Sequence, residues 1–391
     1  MEKFSSLECV LKEMTFDMPS SMLDLPLDVM ALIAKRMANV IDFIRARAVC
    51  HYWKSIFTLE NYSPSRQVPW LMLAEREDSD VRRFFNPSTS EIYEIPLPEV
   101  WHRKIAGSAH GWLVTMGDDR EIHLFNPLTR VQIKLPPLQM YDVSDWIWIP
   151  SYHLARSLHK VVLPSRPSDR DFLVLALYTT MCMGAIFRPG DKAWTLVGGE
   201  NDWRLFDDLI RYKGNIYTVD INGWFGMFDF SSEPRAIKLG CLPSLPTAVD
   251  PLNPWCRYTK YLVELSGDLL IIVRRVFNSW QIVIDDDLIL PEVVLSYKTT
   301  CFKVYKLDQI QPNLMWVEVK DLGDYSVFVG QNTSFIVKAS QEGGWWRRNC
   351  IYFTDDNGGV YNLEDGTFQD HYQGLSCSYH SPPVWFTPSL L

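Results

Sequence analysis

The chain has 391 residues, of which 47% are hydrophobic, 13% aromatic and 22% charged. These proportions are those of a folded globular protein and argue against a mostly disordered chain, because its 15 tryptophans need an interior in which to pack. The formal charge of −9 and the lack of a long Lys/Arg block exclude a nucleic-acid-coating role, which needs a basic footprint, and disfavour docking on an anionic membrane.

The eight cysteines form neither a CxxC pair nor the Cys/His spacing of a zinc module. They are interpreted as buried, reduced thiols of an intracellular protein. Residues 1–19 contain several acidic side chains and no uninterrupted apolar core, so they are predicted to be a tail and neither a signal nor a transit peptide. We expect a location in the cytoplasm, the nucleus or both, with no cofactor and no metal ion.

Residues 20–60 are predicted to form three helices. Apolar residues recur every four positions in the first helix and mark one of its faces: Leu25, Val29, Ile33 and Met37. Pro26 stands where the start of a helix tolerates a missing N–H group. A second helix is predicted to start at Asp42. A third carries apolar residues at helical spacing: Val49, Trp53, Ile56 and Phe57.

The segment 61–68, which contains "NYSPSR", is predicted to be a linker, and residues 69–391 are predicted to be β-structure. Short runs rich in Val, Ile, Tyr, Phe and Trp alternate there with clusters of Asn, Asp, Gly and Pro. The longest uncharged stretch runs from Phe172 to Phe187 and falls short of a membrane span. We therefore predict a buried β-hairpin at this place.

Two stretches of the β region repeat one pattern at a shift of 40 residues, "FFNPST" at 84–89 and "LFNPLT" at 124–129. Looser copies follow at "MFDFSSEPRAIKL" and "VYNLEDGTFQ". Asn-Pro ends a strand because proline has no N–H for the ladder and asparagine tolerates turn geometry. A period of about 40–50 residues in an all-β chain predicts a β-propeller of six or seven blades. A pair of large β-sandwiches is the structural alternative.

A propeller removes its open edge by placing its last strand beside its first. The β region begins with "PWLML" and ends with "PPVWF". We therefore predict that Trp70–Leu73 and Val384–Phe386 lie in the same blade or in adjacent blades.

The helical segment contains "LPLDVMALIAKRM" and then "DFIRARAVCHYWKSI", and these stretches resemble an F-box. Leu25 and Pro26 match the opening of that motif. Its close is matched by four residues: Arg45, Val49, Cys50 and Trp53. The β region resembles the C-terminal domain of a plant F-box family, long catalogued as a domain of unknown function and thought to be a β-propeller. Matching stretches include "PWLML", "GSAHGWLV", "YLVELSGDLLIIVRR", "CFKVYKLD" and "PPVWFTPS".

This resemblance implies a mainly β protein with a three-helix F-box at 20–60 and a propeller-like domain at 69–391. It implies a non-catalytic substrate receptor of a Skp–cullin–F-box ubiquitin ligase. The F-box would bind the Skp adaptor, and through it a cullin–RING ligase, while the propeller would bind an unknown protein substrate. The predicted adaptor-binding residues are Leu25, Pro26, Val29, Ile33, Val49 and Trp53. Without the resemblance, this apolar face could equally pack on the chain's own propeller.

The sequence contains none of three common nucleotide-binding and hydrolase motifs: GxGxxG, GxxxxGKS and GxSxG. "GLSCSYH" at 374–380, the acidic runs at 284–287 and 355–356, and His110 are interpreted as structural or turn residues. Two alternatives to a receptor remain. One is an independent propeller enzyme, such as a glycoside hydrolase with two carboxylates about 5–10 Å apart. The other is an interaction scaffold outside any ligase.

Aromatic and basic residues meet in "EGGWWRRN" at 342–349, which its glycines predict to be a turn or loop. Because such residues are enriched in binding hot spots, this loop is predicted to grip an acidic or phosphorylated substrate segment. "DWIWIP" at 145–150 is a second candidate. The predicted substrate-binding residues are Trp345, Trp346, Arg347, Arg348, Trp146 and Trp148. In the alternative interpretation, one tryptophan packs between blades and the arginines are solvated.

Overall fold

The structure is a computed structural model, and the residues it describes form two compact units. One unit comprises the described residues up to 68 together with 388–390, and the other lies within 69–387. The described residues are 25–37, 40–58, 68–119, 121–137, 158–170, 172–178, 183–199, 206–230, 234–242, 249–250, 253–283, 292–309, 314–339, 346–355, 358–372 and 381–390. Within these ranges, no helix combines the length and the apolar run that crossing a bilayer requires.

The first unit contains three short helices: α1 (Leu27–Arg36), α2 (Val40–Val49) and α3 (His51–Ile56). α1 begins directly after Pro26, whose carbonyl accepts the N–H groups of Val29 and Met30, both at 3.1 Å. The missing N–H of proline therefore costs the helix no hydrogen bond. α2 begins earlier than the predicted Asp42.

The second unit is a β-propeller of six blades. The strands of its first half are β1 (Trp70–Met72), β2 (Val81–Asn86), β3 (Glu91–Pro96), β4 (Lys104–Ala109), β5 (Trp112–Met116), β6 (Ile122–Phe125), β7 (Gln132–Lys134), β8 (Leu158–Val162), β9 (Val174–Tyr178), β10 (Met183–Phe187) and β11 (Thr195–Gly199). A short 3-10 turn, Pro98–Val100, follows β3.

The strands of the second half are β12 (Phe206–Tyr212), β13 (Asn215–Asp220), β14 (Trp224–Asp229), β15 (Arg235–Cys241), β16 (Val249–Asp250), β17 (Asn253–Leu265), β18 (Asp268–Val283), β19 (Glu292–Gln309), β20 (Met315–Val319), β21 (Tyr325–Val329), β22 (Phe335–Lys338), β23 (Cys350–Phe353), β24 (Gly359–Asn362), β25 (Phe368–Gln369) and β26 (Val384–Phe386).

Each blade is one run of hydrogen-bonded strands. Blade 1 has the order β26–β1–β2–β3, and blade 2 consists of β4–β7. Blades 3 and 4 consist of β8–β11 and β12–β15 and are joined in one sheet of eight strands, because β11 pairs parallel with β15. Blade 5 consists of β16–β20, and blade 6 has the order β22–β21–β23–β24–β25. The inner strands β26, β4, β8, β12 and β17 contact one another in turn around the ring. This ring decides for the propeller against the pair of sandwiches, and for six blades.

The last strand closes the ring on the first, so the predicted closure is confirmed. β26 pairs antiparallel with β1, and Trp70 lies opposite Phe386. Trp385 is buried, and its ring lies 5.0 Å from that of Phe328 in blade 6. The closing strand therefore completes blade 1 and also packs on the neighbouring blade, so the first strand of the propeller is paired on both sides.

The forty-residue repeat is the outer hairpin of a blade, β2–β3 in blade 1 and β6–β7 in blade 2. In each copy the asparagine is buried and its side-chain oxygen accepts a backbone N–H of the turn. Asn86 accepts from Ser88 and Asn126 accepts from Leu128, both at 3.0 Å. The looser copies form the corresponding hairpins β14–β15 and β24–β25. The repeated asparagine thus supplies an acceptor that the turn needs.

The predicted hairpin between Phe172 and Phe187 is confirmed, since β9 and β10 pair antiparallel there and are largely buried. In the described part of the chain the cysteines are free thiols, and Cys256 and Cys350 are buried as predicted. Cys241 is exposed, so the prediction is wrong for this residue. It is the last residue of β15 and lies opposite Trp224, the first residue of β14.

Candidate functional site

The three helices bury an apolar core of their own. The rings of Phe43 and Phe57 are buried 5.6 Å apart, and Trp53 stacks on Phe57 at 5.4 Å. Met30 and Ala34 form the buried face of α1. The core stripe of α1 is therefore shifted by one position from the stripe that the sequence pattern marked.

A second set of apolar side chains on the same helices is exposed to solvent. Val29 is 38% exposed and Ile33 is 39% exposed. We call the whole set the helical apolar surface, and its members are Leu27, Val29, Leu32, Ile33, Val49 and Tyr52. Because the unit already has a buried core, these side chains are available to another molecule. A cluster of apolar side chains left in water marks an interaction surface.

Three predicted adaptor-binding residues belong to the helical apolar surface: Val29, Ile33 and Val49. Pro26 is exposed at the start of α1, and Leu25 is partly buried. Trp53 is only 8% exposed and stacks in the core, so it supports this surface from within. The role of these residues in adaptor binding stays a prediction.

Cys50 explains why a cysteine and a tryptophan stand three positions apart in the predicted motif. Cys50 directly precedes α3, and its sulfur accepts the N–H of Trp53 at 3.4 Å. A side-chain acceptor at this position satisfies a backbone donor that the helix itself leaves unpaired. Cys50 thus fixes the start of α3, and the stacked Trp53 ring fixes its position in the core.

The predicted substrate loop is described from Trp346 onward. Trp346 is only 8% exposed and meets Phe328 and Tyr352 edge-on, with ring centroids 4.8 and 4.9 Å away. Its ring therefore belongs to the core of blade 6. Arg347 and Arg348 are exposed, and the guanidinium of Arg347 donates to the side-chain oxygen of Gln369. Three other predicted residues lie outside the described residues: Trp146, Trp148 and Trp345.

The inner strands of the propeller carry buried charges that sequence reasoning missed. Lys160 on β8 is 2% exposed and lies 2.9 Å from Asp208 on β12. Lys260 on β17 is fully buried and lies 3.0 Å from Asp207, also on β12. Burial raises the pKa of Asp207, and Lys260 opposes this change. Asp207 and Asp208 of blade 4 are thus each matched by a lysine of a neighbouring blade.

Asp355 belongs to a second buried network. Arg274 donates from Nη1 to Asp355 at 3.1 Å and from Nε to the hydroxyl of Thr299 at 2.8 Å. The hydroxyl of Tyr261 donates to Asp355, and burial holds the pKa of Tyr261 well above its ordinary value. Asp355 is therefore neutralised by protein groups. Among the described residues, no group of three or more His, Cys, Asp and Glu side chains could hold a metal ion.

The segment 330–334, between β21 and β22 of blade 6, crosses the central channel. The N–H of Thr333 donates to the carbonyl of Ser108 in blade 2 at 2.9 Å. Its hydroxyl accepts the N–H of Leu163, which follows the inner strand of blade 3, at 3.2 Å. Ser334 donates to Asp208 in blade 4 at 3.4 Å. Since these blades lie across the ring from blade 6, the chain itself occupies the channel that a propeller enzyme would use.

Of the remaining catalytic candidates, the structure describes His110. His110 lies in the turn between β4 and β5 with a φ of 54°, and Gly111 follows it with a φ of 86°. Burial lowers the pKa of His110, so it is a neutral turn residue at pH 7. The acidic run at 284–287 and the "GLSCSYH" stretch at 374–380 lie outside the described residues.

Two histidines are expected to make the folded chain sensitive to acid. Loss of hydration lowers the pKa of His159 to about 4, and the positive charges of Lys160 and Lys104 lower it in the same direction. Burial of His371, whose ring packs against Trp385, lowers its pKa to about 4 as well. Both values lie below the ordinary value of 6.5, so the unfolded chain binds more protons between pH 6.5 and about 4. Stability is therefore full above pH 6.5 and falls as the pH drops toward 4.

The measurement is the thermal midpoint as a function of pH for the wild type and a His159→Gln/His371→Gln variant. The variant is expected to have a smaller slope between pH 6.5 and 5, where few carboxylates titrate, and His110 and His123 account for the slope that remains. An unchanged slope in the variant would assign the acid sensitivity to other groups.

Taken together, the fold and the helical apolar surface define a β-propeller protein with a separate helical interaction unit. The chain belongs to the KIB1-4 beta-propeller family, whose model matches residues 84–369. F-box protein SKIP23 of Arabidopsis thaliana is 27% identical over 385 residues, covering 90% of this chain and 88% of that protein. F-box/kelch-repeat protein KIB1 of the same plant is 25% identical over 359 residues, covering 89% and 81%. The resemblance to plant F-box proteins with a C-terminal propeller is confirmed.

Among solved structures, YCF48 from Cyanidioschyzon merolae matches 62% of this chain and 67% of its own chain. The sequence identity is 11% and the TM-score is 0.32, so this likeness carries no argument about the fold or the function.

Proposed function

We propose that this chain is a non-catalytic substrate receptor of a Skp–cullin–F-box ubiquitin ligase. The helical unit binds the Skp adaptor, and the propeller binds the protein that is to be ubiquitinated. The proposed location is the cytoplasm, the nucleus or both. The observation that carries the proposal is the helical apolar surface, which stays exposed on a unit whose own core is complete.

Two further observations support this proposal. The relatives SKIP23 and KIB1, which align over most of this chain, are named F-box proteins. The alternative of a propeller enzyme needs facing carboxylates in an accessible channel. In this chain Asp207 and Asp208 are adjacent and each is bound to a lysine, while 330–334 fills the channel. We therefore put forward no enzymatic function.

The direct test is capture of a purified Skp adaptor by the full chain, with and without a Leu25→Ala/Pro26→Ala change. Leu25 supplies apolar area, and Pro26 fixes the direction in which the chain enters α1. The change is expected to weaken capture about 100-fold or more, as removal of two central contact residues does. The circular dichroism of the β domain is the control and should not change.

Adaptor capture at wild-type strength by this variant would contradict the role of Leu25 and Pro26 in adaptor binding. Adding a cullin then separates a ligase subunit from a scaffold. A ligase receptor enters a complex that contains both adaptor and cullin, whereas a scaffold binds the adaptor and excludes the cullin.

A further inference from the structure

Blade 5 differs from the other blades in the length of its strands. β18 has 16 residues and β19 has 18, whereas the longest described strands of the other blades have 7. β20 pairs with β19 only between Val304 and Gln309. Of the described strands, none pairs with this side of β19 before Val304. β19 therefore presents an open edge where it extends out of the blade.

Three rows of facing residues cross blade 5 beside this open edge: Cys256–Phe277–Lys298, Tyr258–Arg275–Cys301 and Lys260–Val273–Lys303. Residues directly opposite in such a sheet share a face, with Cβ atoms about 4.5–5.5 Å apart. The rows contain four cationic residues and no acidic residue. Lys260 is buried on Asp207, so Arg275, Lys298 and Lys303 are the cations near the surface.

A β-bulge holds these cations on one face. Arg275 lies opposite Cys301 and Val276 lies opposite Thr299, so Thr300 is the extra residue of β19. The hydroxyl of Thr300 donates to the carbonyl of Arg275 at 3.2 Å. The extra residue resets the alternation of side chains, which brings Lys298 and Lys303 to the same side of the sheet. Bulges of this kind often adjoin functional sites.

The face also offers an aromatic contact. Phe277 lies opposite Lys298 and is 36% exposed. Lys298 and Lys303 are both exposed. We call Arg275, Phe277, Lys298 and Lys303 the basic face. An exposed aromatic ring flanked by cations is the composition of a binding hot spot, and here it stands on a chain of net charge −9.

We propose that the basic face, beside the open edge of β19, is the docking surface for an acidic, extended segment of the protein substrate. The proposal rests on the proposed receptor function and names the chemistry of what the receptor binds. Charge complementarity selects an acidic partner, because the exposed Lys298 and Lys303 lie on one face of the sheet in rows that contain no acidic residue. The open edge selects an extended segment, because a strand edge offers unpaired backbone groups to a second chain.

The experiment measures binding of fluorescent peptides to the full chain in complex with the Skp adaptor. One peptide consists of Glu-Thr-Val repeats, and a second has lysine in place of every glutamate. Lys298→Glu/Lys303→Glu is the test variant. Lys192→Glu/Lys338→Glu, which reverses two exposed lysines on blades 3 and 6, is the matched control. Adaptor capture is recorded on the same samples.

The acidic peptide is expected to bind the wild type and the control variant about equally and the test variant at least about tenfold more weakly. Higher salt should weaken the binding, because exposed charges are screened. Equal binding of the lysine peptide, equal binding by the test variant, or absence of peptide binding would each overturn the proposal. If the chain still captures the adaptor while peptide binding fails, only the proposed docking surface is wrong and the receptor function stands. Loss of adaptor capture in the wild type would overturn the receptor function itself.

Discussion

Replacing Val29 and Ile33 with aspartate is expected to abolish capture of the Skp adaptor by the full chain. Both side chains are more than one third exposed in the free chain and lie on α1, so a partner must bury them if it uses the helical apolar surface. Two unpaired carboxylates in an apolar interface cost several kcal/mol, which corresponds to a loss of affinity of about 100-fold or more. Titration of labelled adaptor against the purified variant measures this loss.

The matched control makes the same chemical change on the propeller. Met315 and Phe368 are 48% and 41% exposed, and Met315→Asp/Phe368→Asp also adds two negative charges at apolar surface positions. This control is expected to bind the adaptor as the wild type does. Full adaptor affinity in the Val29→Asp/Ile33→Asp variant, with an unchanged thermal midpoint, would remove α1 from the interface.

Replacing Asp208 with alanine is expected to destabilise the propeller by about 3–5 kcal/mol, because it leaves the charge of Lys160 buried without a partner. Asp208 also accepts the N–H of Leu262 in blade 5 at 2.9 Å and the hydroxyl of Ser334 in the channel. One carboxylate therefore joins three blades and the channel segment. The measurement is the urea midpoint followed by tryptophan fluorescence.

A surface ion pair provides the comparison for this effect. The carboxylate of Asp268 lies 3.0 Å from the ammonium group of Lys306, but these side chains are 49% and 38% exposed. Asp268→Ala should therefore change stability by less than about 1 kcal/mol. Asp208→Asn keeps an acceptor oxygen and loses the charge. Its loss of stability should therefore lie between those of Asp208→Ala and Asp268→Ala. Equal midpoints for Asp208→Ala and Asp268→Ala would show that burial of the pair has no energetic weight.

The fold was predictable wherever a local pattern has a single structural meaning. Asn-Pro after an aromatic strand can only end that strand, so the repeat at Asn86 and Asn126 located two outer hairpins and the propeller. The apolar first and last runs of the β region gave the closure between Trp70 and Phe386. Blade number stayed open in the sequence because blade 5, at residues 249–319, spans far more of the chain than the repeat of 40 residues.

The details of the candidate sites depend on contacts that no local pattern contains. α1 is apolar on two adjacent stripes, so periodicity could not decide that Met30 and Ala34 are buried while Val29 and Ile33 are exposed. The sequence predicted Trp346 to be a contact residue, but in the structure its ring packs against other aromatic rings of blade 6. One signal was present and unused: a single lysine inside an apolar strand, as in "LHKVV" and "TKYLV", marks a buried charge that needs a distant partner.

The strand that closes the ring is also the last part of the propeller to be synthesised. About 300 residues separate β1 from β26, so at about 5–20 residues per second the partner of β1 emerges roughly 15–60 s after it. During that interval the nascent chain exposes unpaired strand edges, the surface on which other chains aggregate. A nonsense codon before Val384 would therefore leave blades 2 to 6 intact and, of the described strands, remove only β26. The resulting protein would still expose the edge of β1, and we expect chaperones to bind it and proteases to degrade it.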